Sequence, residues 1–95
     1  MNTPPSFEWD DAKATANFIK HGVSFDAGSR VFLDDNRLDI EDTRFNYGEE
    51  RRNVTGVVDG VCLTITYTLL PSGTARIISA RPASRKERGT YGYRS

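Results

Sequence analysis

The chain is poor in the side chains that most often carry chemistry: its 95 residues include one cysteine, Cys62, and one histidine, His21. A single cysteine cannot close an internal disulfide, which suits a reducing compartment. Cys62 sits in an apolar strand pattern, where a thiol packs as a small hydrophobe. One His, one Cys and no spaced carboxylate cluster make no zinc ligand set, and the acidic turn Asp34-Asp35 lacks the spacing of a calcium loop. No metal or other cofactor is expected. There is no Gly-rich phosphate loop and no nucleophile elbow, which sets aside P-loop chemistry and Ser or Cys hydrolases. No apolar run reaches membrane-spanning length, and Met1-Asn2-Thr3-Pro4-Pro5-Ser6 has neither a charged n-region nor an apolar stretch. A cytoplasmic protein with no membrane role is the expectation.

What is present suffices for one core. With 37% hydrophobic and 11% aromatic residues, the chain is expected to fold as a single domain over residues 1–95. Its formal neutrality hides a polarity. Residues 1–50 carry 5 Lys/Arg against 11 Asp/Glu, and residues 51–95 carry 8 against 2. Such a chain can present one positive surface to an anionic polymer, with the acidic half facing away. The basic half peaks in Arg76-Ile77-Ile78-Ser79-Ala80-Arg81-Pro82-Ala83-Ser84-Arg85-Lys86-Glu87-Arg88, which reads as a strand followed at once by a cationic helix.

The patterning predicts an α+β fold: an antiparallel sheet, two helices before it and one after. Phe7-Glu8-Trp9 alternates as a short edge strand. Asp10 caps a first helix with the stripe Ala12, Ala16 and Ile19, ending at Lys20-His21-Gly22. Asp26 can cap a second helix containing Ala27, Val31 and Phe32. Arg37 to Asp42 reads as a strand and Thr43 to Gly48 as a loop. Asp59-Gly60 is a two-residue hairpin turn that opposes Val58 to Val61, Val54 to Ile65 and Arg51 to Thr68. One face then carries Val54, Val58, Val61, Leu63, Ile65 and Tyr67. The other carries Glu49, Arg51, Asn53, Thr55, Thr64, Thr66 and Thr68. With Pro71-Ser72-Gly73-Thr74 as a second turn, Ser79 opposes Thr66 and Arg81 opposes Thr64. Arg76 then falls on the apolar side.

Several local patterns coincide in order and spacing: Phe7-Glu8-Trp9-Asp10, Lys20-His21-Gly22-Val23-Ser24-Phe25, Gly48-Glu49-Glu50-Arg51, Arg76-Ile77-Ile78-Ser79-Ala80-Arg81, and Glu87-Arg88 with Tyr91. Together they resemble the BrnT family of toxins from bacterial type II toxin–antitoxin systems, over nearly the whole chain. The resemblance implies a RelE-like fold and a ribonuclease activity that halts translation. It implies a cognate antitoxin of the BrnA type that binds the toxin tightly, carries the DNA-binding part and represses the shared operon in a hetero-oligomeric complex. Gly89, Gly92 and Tyr93 make a looser, more aromatic tail than the pattern carries.

A ribonuclease working without metal needs a base for the 2′-hydroxyl, an acid for the leaving 5′-oxygen and cations for the phosphorane. Arg51 and Arg81 are the candidate clamp, because guanidinium forks onto phosphate oxygens and stays charged. Their alternative is a structural ion pair with Glu49 or Glu87. His21, with Lys20 beside it, can serve as base or acid, or simply end a helix with cations on its negative pole. Glu49 is either a base or the partner of Arg51. Arg76, Arg85, Lys86 and Arg88 are candidate phosphate-backbone contacts, against the alternative of a solvated face. Tyr91 either packs the last helix on the sheet or stacks on a base. Phe45, Tyr47 and Tyr93 are candidate apolar anchors for the antitoxin. A non-catalytic RNA- or ribosome-binding module, or a pure interaction protein, is the rival reading.

Overall fold

The computed structural model describes residues 3–44 and 48–94, so Phe45 and Tyr47 lie outside the described residues. The elements run β1 (Phe7–Glu8), α1 (Asp11–His21), α2 (Phe25–Ser29), a 3-10 turn (Arg30–Leu33), β2 (Leu38–Asp42), β3 (Arg51–Val58), β4 (Val61–Leu69), β5 (Ala75–Pro82) and α3 (Arg85–Tyr91). The strands form one sheet in the order β1-β5-β4-β3-β2. Strands β2 to β5 pair antiparallel, but β1 joins β5 in parallel through Phe7↔Ala75 and Glu8↔Arg76. The sheet is therefore mixed, not antiparallel throughout. No hairpin ties β1 to β5, so no turn dictates its direction. The edge is reinforced by an ion pair from Arg76 to Glu8 at 2.8 Å.

Helix α1 starts and stops as its sequence requires. The Asp10 carboxylate accepts from the Lys13 N–H, and Gly22 ends the helix at φ 71° with its N–H donating to Phe18. Its inward face differs from the expected stripe. Ala12, Ala16 and Ile19 are exposed, Ile19 by 80%, whereas Ala14 and Asn17 turn to the sheet. The cause is a polar clamp. Beyond its pairing with β1, β5 has a bare edge, and the buried Asn17 amide occupies it: Nδ2 donates to the carbonyls of Ala80 (2.7 Å) and Val23 (3.0 Å), and Oδ1 accepts from the Ala80 N–H. A side-chain amide thus supplies the donor and acceptor a neighbouring strand would.

The second helix is capped by Ser24, whose hydroxyl accepts from the Ala27 N–H, rather than by Asp26. It lies close on the sheet because residue 28 is glycine: a Cβ there would sit 2.8 Å from Ile65 Cδ1 and 3.1 Å from Ala80 Cβ. Phe25, Val31 and Phe32 then fill the core against Val54, Ile65, Tyr67 and Ile77. Val61, expected in the core, is 53% exposed beside the hairpin turn, past the reach of the helices.

The Asp59-Gly60 hairpin sets the β3–β4 register as expected, from Val58↔Val61 to Arg52↔Tyr67. The β4–β5 pairing carries a surprise. Thr66 pairs with Ser79 but Tyr67 pairs with Ile77, leaving Ile78 as the extra residue of a bulge. An extra residue flips the alternation, so Arg76 pairs with Thr68 and shares the polar face with Arg81.

The Asn17 clamp predicts an asymmetric pair of substitutions. Asn17→Ala should cost about 2–4 kcal/mol by orphaning the Ala80 N–H and carbonyl. Ile19→Ala on the outer face should change stability by less than about 0.5 kcal/mol. Denaturant unfolding of both variants checks this, and equal effects would contradict the assigned phase.

Candidate functional site

The face of the sheet opposite α1 and α2 is a polar grid. Reading from β5 to β2, the register sets Arg81, Thr64, Thr55 and Leu38 in one row and Ser79, Thr66, Asn53 and Ile40 in the next. One residue beyond the paired register, Arg51 stands beside Thr68 and Arg76, with Asp42 across from it. Arg51 and Arg81 thus share the face but stand about 16 Å apart, four residues along and two strands across. Arg51 and Arg76 hold one end; Arg81 holds the other.

Helix α3 closes the Arg81 end. Ser84 and Glu87 form a reciprocal capping box: the Ser84 hydroxyl accepts from the Glu87 N–H, and the Glu87 carboxylate from the Ser84 N–H at 2.8 Å. The same carboxylate takes a bidentate fork from Arg81, at 2.6 and 2.9 Å, and the Thr64 hydroxyl at 2.9 Å. Thr64 in turn meets Thr55 at 2.8 Å. Burial pushes the Glu87 carboxyl upward, but these bonds and the Arg81 charge win, holding it down at about 2. Arg81 is therefore positioned by Glu87, and no hydrogen bond engages its Nε among the described residues.

Between β2 and α3 lies a groove of about 330 Å³, lined by Ile40, Glu41, Asn53, Arg81, Lys86 and Glu87 among others. Its β2 wall comes from the acidic half of the chain, contrary to the expectation that this half faces away. Asp42 is buried and accepts a fork from Arg44. The two charge blocks are interleaved at these points, as Arg76–Glu8, Arg52–Asp39 and Arg30–Asp59 also show.

The other candidate residues fall in different places. Glu49 lies 3.4 Å from Arg51 as an ion-pair partner. Arg85 and Lys86 are exposed on the first turn of α3. Arg88 turns inward and donates to the Ala83 carbonyl at 2.8 Å. The Tyr91 hydroxyl donates to Asp34 at 2.5 Å, which raises the phenol to about 12. Asp34 is held below the usual carboxylate range: burial opposes ionisation, but the bonds from Tyr91, the Val57 N–H and Asn36 outweigh it. Tyr93 donates to the Gly60 carbonyl. Cys62 is buried, and burial pushes its thiol upward. Lys20 is exposed and His21 half-buried, one turn past Asn17 and hence alongside the C-terminal end of β5. They belong to the helix layer, and no hydrogen bond joins His21 to Arg81 among the described residues.

A larger cavity, about 410 Å³, opens on the other side of the sheet near Phe32, Arg52 and Tyr67. Its charges satisfy one another. Arg52 pairs with Asp39 at 2.7 Å and Glu50 at 3.2 Å, and the Tyr67 hydroxyl donates to Asp39. Among the described residues no three His, Cys, Asp or Glu side chains converge as a metal-binding group, and no helix is long and apolar enough to cross a membrane. Sequence reasoning missed Asn17 and Asp34, and it placed Asn53 on the polar face without a role. The nearest signal for each was a polar residue interrupting an otherwise apolar or threonine-rich pattern.

These features define a small mixed α+β protein whose sheet face bears arginines and hydroxyls and is walled at one end by a C-terminal helix. Residues 9–87 match the family described as the ribonuclease toxin, BrnT, of type II toxin–antitoxin systems, and the chain belongs to that family. Its partner class is accordingly a protein antitoxin. The fold is similar to the crystal structure of the Brucella abortus ribonuclease toxin BrnT, with TM-score 0.64 and 23% identity over 84% of this chain and 97% of that one. A comparison with curated proteins gives no match.

The Glu87 cluster makes a stability prediction with a defined sign. Because the folded carboxyl sits at about 2 against an ordinary 4.5, its contribution is present above pH 4.5 and lost as pH falls toward 2. Allowing for solvent screening, that contribution is roughly 2 kcal/mol. Glu87→Gln should lose about this much at pH 7 and show a flatter stability profile between pH 4.5 and 2. Parallel profiles for the two proteins would contradict the assignment.

Proposed function

We propose that residues 1–95 act as a single RelE-like toxin domain, a metal-independent endoribonuclease that cleaves RNA in the cytoplasm and so stops translation and growth. It is neutralised by a BrnA-type antitoxin in a hetero-oligomer, in which the antitoxin binds DNA and the complex represses its own operon. The observation that carries this reading is Arg81: a strand-rooted guanidinium, locked by Glu87, with donors left over at a groove on the polar face. Membership of a ribonuclease toxin family supplies the reaction class.

In this mechanism the 2′-oxygen attacks the adjacent phosphorus in line and expels the 5′-oxygen, leaving a cyclic phosphate and a 5′-hydroxyl end. Arg81 offers its remaining N–H groups to the phosphorane, where a preoriented donor gains most. Glu87 is a positioning residue. Its low-lying carboxyl is already occupied by four donors and cannot take the 2′-proton. His21 and Lys20 are the remaining candidates for proton transfer; on α1 they lie in the helix layer and would have to reach the phosphate around the edge of β5. Glu49 holds Arg51, and Arg51 and Arg76 bind phosphates farther along the strand. Arg85 and Lys86 add backbone contacts from α3. Arg88 and Tyr91 support that helix from beneath.

RNA cleavage should persist in EDTA and leave 5′-hydroxyl ends. Arg51→Ala should slow it, and Arg81→Ala should slow it by about 30- to 1,000-fold. Because Arg81→Ala also strands the Glu87 carboxylate, the double variant Arg81→Ala/Glu87→Gln separates catalysis from folding. Full activity in the folded double variant would contradict the role of Arg81. Binding of RNA without cleavage by the wild type would favour a non-catalytic module.

A further inference from the structure

On the reading of the polar face as an RNA-cleaving surface, we propose that the groove between β2 and α3 is a base-reading subsite in which Asn53 contacts the base edge. Asn53 occupies the middle row of the grid, between the Arg81 end and the Arg51 end. The Thr66 hydroxyl donates to its Oδ1 at 2.7 Å and tethers the carboxamide to β4. The second lone pair of Oδ1 and both Nδ2 hydrogens remain. Nδ2 makes no hydrogen bond among the described residues, and no buried side-chain polar atom there lacks a partner, so Nδ2 opens to solvent.

The fold gives no reason for an asparagine at this position. Asparagine is disfavoured in strands, and its neighbours Thr55, Thr64, Thr66 and Thr68 show the residue type the sheet itself prefers. A tethered carboxamide presents a donor and an acceptor side by side. An unpaired RNA base complements that pair along an edge that carries one of each, as adenine does with N7 and its N6 amino group. The surroundings suit a base with its phosphate attached. Ile40, the cross-strand neighbour of Asn53, is 58% exposed and gives an apolar surface for the ring to lie on. Arg81 and Lys86 stand on the opposite wall of the same groove for the phosphate. Thr66 is the positioning residue for the carboxamide; Asn53 is the contact.

The test maps the 5′-hydroxyl ends that the full chain makes on an RNA pool of random sequence. The wild type should enrich one base at one position beside the cut by about 5-fold or more, the discrimination of a good bidentate pair. Asn53→Ala should still cleave but flatten that enrichment, and Thr66→Val should flatten it in part. Asn53→Thr keeps the strand preference and serves if the alanine variant fails to fold. Unchanged enrichment in folded Asn53→Ala or Asn53→Thr overturns the proposal, as does a wild type that cuts without base preference. A wild type that does not cleave RNA at all overturns instead the catalytic reading on which the subsite rests.

Discussion

The arrangement of the polar face depends on the fork between Arg81 and Glu87. Helix α3 has only the seven residues Arg85–Tyr91 and buries none of them, so it cannot be held by apolar packing or by its own propensity. It is held by polar bonds at both ends. Glu87 joins its first turn to β4 and β5 through Thr64 and Arg81, while Tyr91 ties its last turn to Asp34 beneath β3. Asp34 in turn receives the Val57 N–H, so the turn after the 3-10 segment, strand β3 and helix α3 share one carboxylate. Removing either anchor would release the wall of the groove. The same fork decides what Arg81 can do: it is a fixed donor rather than a searching one, at the cost of half its hydrogen-bonding capacity.

Charge that is separated along the sequence is mixed in space. The acidic β2 lies against the basic β3, and Arg52 reaches Asp39 across that pair. At the other edge Glu8 meets Arg76. Exposed pairs of this kind add little stability, but they reduce the local positive charge that the composition suggests. On the proposed reading RNA meets local donors at the groove and along β5.

Features governed by local chemistry were legible in the sequence: the Asp10 cap and Gly22 stop of α1, the Asp59-Gly60 hairpin, and the pairing of Arg81 with Thr64. Features set by a tertiary partner were not. The apolar spacing of α1 is satisfied equally by two phases, and only the bare edge of β5 selects the one that buries Asn17. The bulge falls at the adjacent apolar pair Ile77-Ile78, which does not by itself say which residue leaves the alternation, yet it moves Arg76 to the other face. Ser24 and Asp26 are both good caps, and the close seat of Gly28 on Ile65 is served by the earlier start. For the site, residue types were readable and distances were not: Arg51 and Arg81 lie on one face as expected, but too far apart to grip one phosphate.

The central claim is that RNA binds on the polar face of the sheet. It is tested most directly by photo-crosslinking the full chain to an RNA carrying a 2′-deoxy nucleotide at the cut site, which blocks cleavage but preserves binding. The account predicts adducts on β3, β5 and the first turn of α3, at or next to Asn53, Arg81 and Lys86. Adducts confined to the opposite layer, around Phe18 and Ile19 on α1, would contradict it.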